Sequence, residues 1–313
     1  MAQRVLVTGG GGFIGSHLAA GHLAAGDEVH ILVRPQHQLR SDRLSRAIVH
    51  RVALADGGAV ESCLQSVQPT LLYHLGTGTG RGAQLPAPEE WPGLADDLIN
   101  LLALLSAASR VDTLRAFVRT GSIAEYGNAA ECPDEDAREE PLAPYTLALT
   151  AGAHYAAALR SQLHFPVLTA RLGLTYGVGQ SEDFLLPWLI RRCLNGQVSE
   201  VRSPDALRDM LAVADCVAGL RALASSDLPG GTIINLCSGQ LLSVRTIAET
   251  VLAATSAPAG SVRYGVQASQ SSAVNRVGAN PARAAELLGW TAAISFEEGV
   301  RCMVEQMRAQ AAA

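Results

Sequence analysis

The stretch TGGGGFIGSHL, Thr8 to Leu18, restricts the fold more than any other part of the sequence. It follows the apolar, β-rich run VLVTG (5–9) and opens an Ala- and Leu-rich helical stretch from Gly15 to Ala25. Gly10, Gly12 and Gly15 therefore satisfy G-x-G-x-x-G between a strand and a helix, the context in which that pattern has a mechanism. Glycines permit a tight turn and let the backbone approach a pyrophosphate. The helix start beyond them offers N–H groups and the favourable end of a dipole to the phosphates. Such a turn is expected to hold a dinucleotide.

The rest of the chain agrees with that start. EVHILV (28–33), AIVHRVAL (47–54), TLLYHL (70–75), AFVRTG (116–121), PVLTARL (166–172) and TIINL (232–236) read as strands. Helix candidates lie between them near 58–67, 94–109, 145–162 and 211–224. Alternation of this kind implies parallel βαβ units and an α/β, doubly wound parallel sheet, with strands apolar on both faces. After about residue 173 the pattern loosens. QSEDFLLPWLIRRCLNGQ, SVRTIAETVLAATS and PARAAELLGW read as further helices, the last stopped by Gly289. The expected division is a dinucleotide-binding domain of residues 1–172 and 206–240, with a smaller interwoven C-terminal substrate lobe of 173–205 and 241–313. The acidic run ECPDEDAREE (131–140) reads as a solvated loop.

Charge and cysteine usage narrow the partners. The net charge is −5, and the 24 Lys and Arg are scattered, so there is no basic footprint for nucleic acid. No apolar stretch approaches the ~20 residues needed to span a bilayer, and the first apolar run passes straight into glycines rather than forming a secretory signal. The six cysteines (63, 132, 193, 216, 237, 302) show no CxxC pair and no zinc spacing. They read as reduced thiols of a cytoplasmic protein without a metal site.

The second strand bears on the cofactor. An acidic residue at its end would grip the ribose hydroxyls of NAD. Here Val33 stands near that position and Arg34 follows it. A cation suits a 2′-phosphate, so NADP(H) is favoured, with NAD(H) as the alternative. Arg40 and Arg43 either assist or are solvated loop arginines.

Nearly end to end, the chain resembles the extended short-chain dehydrogenase/reductase family, in its nucleotide-sugar epimerase, dehydratase and reductase branch. TGGGGFIGSHL resembles the family's TGxxGxxG turn, with Gly9, Gly12 and Gly15 and with Phe13 and Ile14 opening the helix. YHLGTGTG (73–80) resembles the fourth strand and a cofactor-lining loop, with Leu75 and Gly76. GSIAEYG (121–127) resembles the strand carrying the active-site Ser or Thr, at Ser122. Pro144–Tyr145 resembles the start of the tyrosine helix, and Asn100 sits where an asparagine often stabilises the sheet. RLGLTYGVG (171–179), RDMLAVADCV (208–217) and LLGWTAAISFEEGV (287–300) complete the resemblance.

That resemblance implies a Rossmann-type fold and a homodimer. It implies that Tyr145 exchanges a proton with the substrate oxygen and that Ser122 hydrogen-bonds the same oxygen. Hydride would move at the adjacent carbon, Arg208 would pair with the diphosphate of a nucleotide sugar, and Tyr176 would lie at the substrate. A salt bridge to Asp209 or Asp215 is the structural alternative for Arg208.

The departures from the family pattern matter equally. The family lysine, four residues after the tyrosine, is Leu149. The substrate-region asparagine is Leu174, and an aspartate that often meets the adenine is Ala53. Ile123 and Ala124 occupy positions where dehydratases carry an acid, and Glu125 beside them is expected to face the other way, by strand alternation. Leu149, Gly152 and Ala156 share the Tyr145 face of the helix, none of them charged, and His154 points away.

Without the lysine, an ordinary tyrosine with pKa ~10 is phenolate in only about one molecule in a thousand at pH 7. Oxidising an alcohol needs the phenolate, whereas reducing a ketone needs the phenol. The expectation is a reductase of a keto-sugar nucleotide such as an NDP-4-keto-6-deoxyhexose. An NAD(P)-dependent nucleotide-sugar epimerase and a catalytically silent nucleotide-binding protein are the alternatives.

Overall fold

Hydrophobic alternation builds the central sheet. A computed structural model describes residues 2–39, 42–76, 95–265 and 275–312. Arg40 and residues 77–80 of the quoted loop lie outside them. The first half of the chain runs β1 (Arg4–Thr8), α1 (Phe13–Ala24), β2 (Glu28–Val33), β3 (Ile48–Arg51), α2 (Gly57–Val67), β4 (Leu71–His74), α3 (Asp96–Ala108), β5 (Ala116–Ser122), α4 (Pro144–Leu159) and β6 (Val167–Leu172). It continues with β7 (Leu174–Tyr176), α5 (Leu185–Leu194), β8 (Ser199–Val201), β9 (Leu207–Ala212), α6 (Val213–Ala224) and β10 (Ile233–Leu236). The last elements are β11 (Leu241–Ser243), α7 (Val244–Thr255), β12 (Val262–Tyr264), β13 (Arg276–Val277), α8 (Ala282–Leu288) and α9 (Phe296–Ala312).

The seven-stranded sheet has the order β10-β6-β5-β4-β1-β2-β3, and each neighbouring pair is parallel. Period-two alternation sends Val5, Val7, Tyr73 and Val118 to one face, beneath α1 and α6. Leu6, Leu72 and Phe117 face α2, α3 and α4. Each fully buried aliphatic side chain contributes about 1.5–3 kcal/mol, and helices on both faces let nearly every strand position take part. The outer strand β3 departs from the expected pattern, since Ile48 and Val49 are exposed.

β9 pairs with β7, β11 and β13 in a second small sheet, and β8 pairs with β12. A separate apolar cluster of α5, α7 and α9 surrounds these strands. No helix among the described residues is long and apolar enough to cross a membrane. All six cysteines are free, four of them buried.

The acidic run 131–140 is a largely solvated loop, as expected from its composition, but two of its acids turn inward. Glu135 is buried; its carboxylate accepts the N–H of Asn235 at 2.7 Å and lies 3.4 Å from Arg283. Glu139 pairs with Arg171 at 2.5 Å. Partners placed by β6, β10 and α8 offset the cost of burying these charges, and local composition carries no record of partners so far along the chain.

Candidate active site

The strand order reverses between β1 and β4, and that switch point is where a doubly wound sheet opens a crevice. Gly9 follows β1 with φ +70°, and a Cβ there would fall 2.8 Å from the Leu75 carbonyl oxygen and 3.0 Å from the Gly76 Cα. The two strand ends therefore meet closely. Gly12 donates its N–H to the Gly9 carbonyl at 2.9 Å, and a Cβ on Gly15 would fall 2.2 Å from the same oxygen. The turn tolerates only glycine at Gly9 and Gly15. No side chain caps α1, and its first turn holds no acid, so the N–H groups at Phe13 and Ile14 suit phosphate. Phe13 stacks edge-on with His17, and Ile14 packs on the core.

A cavity of about 770 Å³ opens over this turn, lined by Gly11, Gly12, Phe13, Arg34, His37 and Arg43 among others. The residues present fit a dinucleotide: a glycine cradle, an uncapped helix start and two cations. Sequence reasoning passed over His37. Its Nε2–H donates to the Gly11 carbonyl at 3.1 Å, and its ring fills the space where a Gly11 Cβ would stand. Nothing in the sequence links positions 11 and 37.

Ser122 ends β5, and Tyr145 lies in the first turn of α4. Pro144 sets the start of that helix, and Thr146 accepts the Ala143 N–H at 3.2 Å. The structure brings Ser122 near enough to Tyr145 for its side chain to act on the phenol's ionisation. Burial raises the Tyr145 pKa above its ordinary value, the Ser122 side chain opposes that rise, and the negative charge of Glu125 adds to it. Among the described residues no cation acts on Tyr145.

Glu125 is the main site residue that strand logic misjudged. The chain leaves the strand at Ser122 and enters a 3-10 turn over Ile123–Tyr126, so alternation no longer applies. Glu125 is fully buried. Its carboxylate accepts the Ser122 N–H at 2.7 Å, the Arg171 Nε–H at 3.2 Å and the Thr150 hydroxyl at 3.4 Å. It thereby joins the end of β5 to the Tyr145 helix. Arg171 also stacks over the Tyr126 ring at 4.5 Å. Leu149 is buried, and His154 stands on the exposed side of α4, 3.6 Å from Glu139.

Arg208 lies half-buried on β9, with Nη1 donating to the Leu207 carbonyl at 2.8 Å. The two acids weighed as its partners are engaged elsewhere: Asp209 accepts the N–H groups of Ser238 and Gly239, and Asp215 accepts that of Ile294. Tyr176 sits in the apolar cluster around α5, α7 and α9 at 1% exposure, its ring against Phe296 and its hydroxyl against Gly299. That placement is one of packing.

A model of the NAD dependent epimerase/dehydratase family matches residues 5–237. UDP-glucose 4-epimerase from Streptomyces lividans is 28% identical, over 91% of this chain and 93% of its own. GDP-6-deoxy-D-mannose reductase from Pseudomonas aeruginosa is 26% identical, over 97% of each. Among solved structures, MoeE5 in complex with UDP-glucose and NAD superposes with a TM-score of 0.85 at 26% identity, over 98% of this chain and 99% of that one.

Proposed function

This chain belongs to the NAD dependent epimerase/dehydratase family, and from that membership we propose that it is a reductase of a keto-sugar nucleotide. The protonation of Tyr145 carries this reading. Burial and the Glu125 carboxylate hold its pKa up, with no opposing cation among the described residues. At neutral pH the side chain is the acid that ketone reduction requires. Ser122 lies beside the phenol, whose pKa it lowers, and would orient the same carbonyl oxygen. The reduced nicotinamide, when bound, supplies the hydride. Equilibrium fixes the ratio of forward to reverse efficiency, so the phenol decides the pH range in which each direction runs.

Gly9, Gly12 and Gly15 with the start of α1 would hold the pyrophosphate. Arg34 and Arg43 line the same cavity and would favour NADP(H) through its 2′-phosphate. Arg208 would face the diphosphate of the substrate, for which Arg–phosphate pairing is a good match. A 4-keto-6-deoxyhexose fits the reading, since one relative of similar length is named GDP-6-deoxy-D-mannose reductase.

Likeness to a UDP-glucose 4-epimerase favours epimerisation as a second reading. That cycle opens with oxidation and needs a phenolate, which the raised Tyr145 pKa opposes.

The test is dinucleotide oxidation, followed by absorbance, against a panel of keto-sugar nucleotides with NADPH and NADH. Consumption with NADPH and formation of the hydroxyl sugar are expected. Tight dinucleotide binding with no panel member reduced would sink the reductase reading, and sugar interconversion without net consumption would install the epimerase.

A further inference from the structure

Arg119 is a charged side chain buried where β5 packs beneath α4. It lies on β5 at 2% exposure. Its Nε has no hydrogen-bond partner, and the nearby Glu125 carboxylate, which is bonded to Arg171, favours its charge only from a distance. Its other two nitrogens are committed: Nη2–H donates to the Leu149 carbonyl at 2.9 Å and Nη1–H to the Thr169 hydroxyl at 3.3 Å. Burial pulls its pKa down to about 10, so it stays charged at neutral pH.

Position 152 makes this contact possible. A Cβ on Gly152 would fall 2.8 Å from Arg119 Nη2 and 2.9 Å from Leu101 Cδ2. At 100° per residue, Tyr145, Leu149 and Gly152 form one stripe on α4, and the guanidinium lies directly beneath it. Replacing a buried, poorly paired charge with an apolar side chain is often neutral or stabilising. Stability therefore gives no reason for an arginine here, whereas a strut between the sheet and the turn after Tyr145 does.

We propose that Arg119 is the positioning residue for Tyr145, a buried guanidinium on β5 that fixes the depth of the tyrosine helix on the sheet through the Leu149 carbonyl. This rests on the reading of Tyr145 as proton donor. Arg119 is not among the groups that act on the ionisation of Tyr145, so its effect is on geometry. Loosening the helix by a fraction of an ångström would lower turnover and leave substrate and dinucleotide binding in place.

Arg119→Met, Arg119→Lys, Gly152→Ala and the Arg119→Met/Gly152→Ala pair test it in the full-length protein. Arg119→Met is expected to lower kcat about 10- to 100-fold, with KM and dinucleotide Kd changed less than about twofold and Tm within ~3 °C of the parent. Arg119→Lys should recover part of the loss. Gly152→Ala should reproduce it with the arginine present and add little in the Arg119→Met background. In a Tyr145→Phe background, Arg119→Met should cost no further turnover. Amide exchange should quicken in α4 and stay unchanged in α6. A fall in Tm with exchange rising throughout the molecule would mark Arg119 as merely structural. Unchanged kcat, or an equal cost of Gly152→Ala in both backgrounds, would also overturn the proposal. If no keto-sugar is reduced at all, the reductase reading fails by itself, and the exchange arm still decides whether Arg119 pins α4.

Discussion

Glu125 folds back to accept the backbone N–H of Ser122 at 2.7 Å, so the acid in the 3-10 turn grips the residue that ends β5. Through the Thr150 hydroxyl, 3.4 Å from its other oxygen, it also touches the helix of Tyr145. One buried carboxylate thus sets both the place of Ser122 and the charge felt by Tyr145.

Glu125→Gln keeps an acceptor for the Ser122 N–H and removes the charge. Since that charge helps hold the Tyr145 pKa above its ordinary value, the pKa should fall. Ketone reduction uses the protonated phenol and is lost as pH rises through its pKa. The alkaline limb of the reduction profile should therefore move to lower pH. Arg171 loses one of two carboxylate partners, at a cost of about 3 kcal/mol. A pH–kcat series and a urea melt measure the two effects.

Leu149→Lys places an ammonium one turn from Tyr145, in a buried position. Stability should fall by about 3 kcal/mol. A cation near the phenol favours phenolate, so the pH range for oxidation should extend downward and that for reduction should contract from its alkaline side. Profiles measured in both directions check this. Abolition of all turnover with dinucleotide binding intact would show that leucine itself is required at the site.

Arg34→Ala should weaken NADPH binding about tenfold and leave NADH binding within about twofold. Arg34 is exposed, so the difference should shrink with added salt. Fluorescence titration at two ionic strengths reads both. Equal loss for the two dinucleotides would remove the argument for a 2′-phosphate site.

His74 is fully buried, its Nδ1 bonded to the Thr8 hydroxyl at 2.7 Å. Burial, aided by the charge of Arg119, pulls its pKa down to about 3. An unfolded histidine takes a proton near pH 6.5. Between those values the unfolded chain binds a proton that the folded one excludes, so stability is present above pH 6.5 and is lost as pH falls. The slope is about 1 kcal/mol per pH unit. His74→Asn should flatten the decline between pH 6.5 and 4, measured as the difference between urea melts of variant and parent.

Much of this architecture was legible because it depends on local periodicity. Continuous apolar runs such as VLV, LLY and AFV, bounded by the glycine turn, mark β1, β4, β5 and α1, whereas Ser122 and Tyr145 were marked out by the family resemblance of GSIAEYG and Pro144–Tyr145. What stayed hidden depends on partners far apart in sequence. Glu125 was misjudged because strand alternation was carried into the turn, three residues past the end of β5. Glu135 and Glu139 read as solvent-facing because their partners Asn235, Arg283 and Arg171 are supplied by other elements. Arg119 looks like any strand residue until Gly152 is seen to leave room for it. The small sheet around β9 is built from two- to six-residue strands, too short for alternation to mark.

The place of β10 in the sheet has a consequence for biosynthesis. β6 pairs with β5 on one side and with β10 on the other, yet the chain between Leu172 and Ile233 builds most of β7 to α6 first. At about 5–20 residues per second, a ribosome leaves the buried strand VLTARL with one edge unpaired for several seconds. During that interval the nascent chain displays an open, apolar parallel edge, the template on which other chains aggregate. Yield in the cell should thus depend on chaperone capacity and on the speed of translation across this segment more than on the stability of the finished molecule.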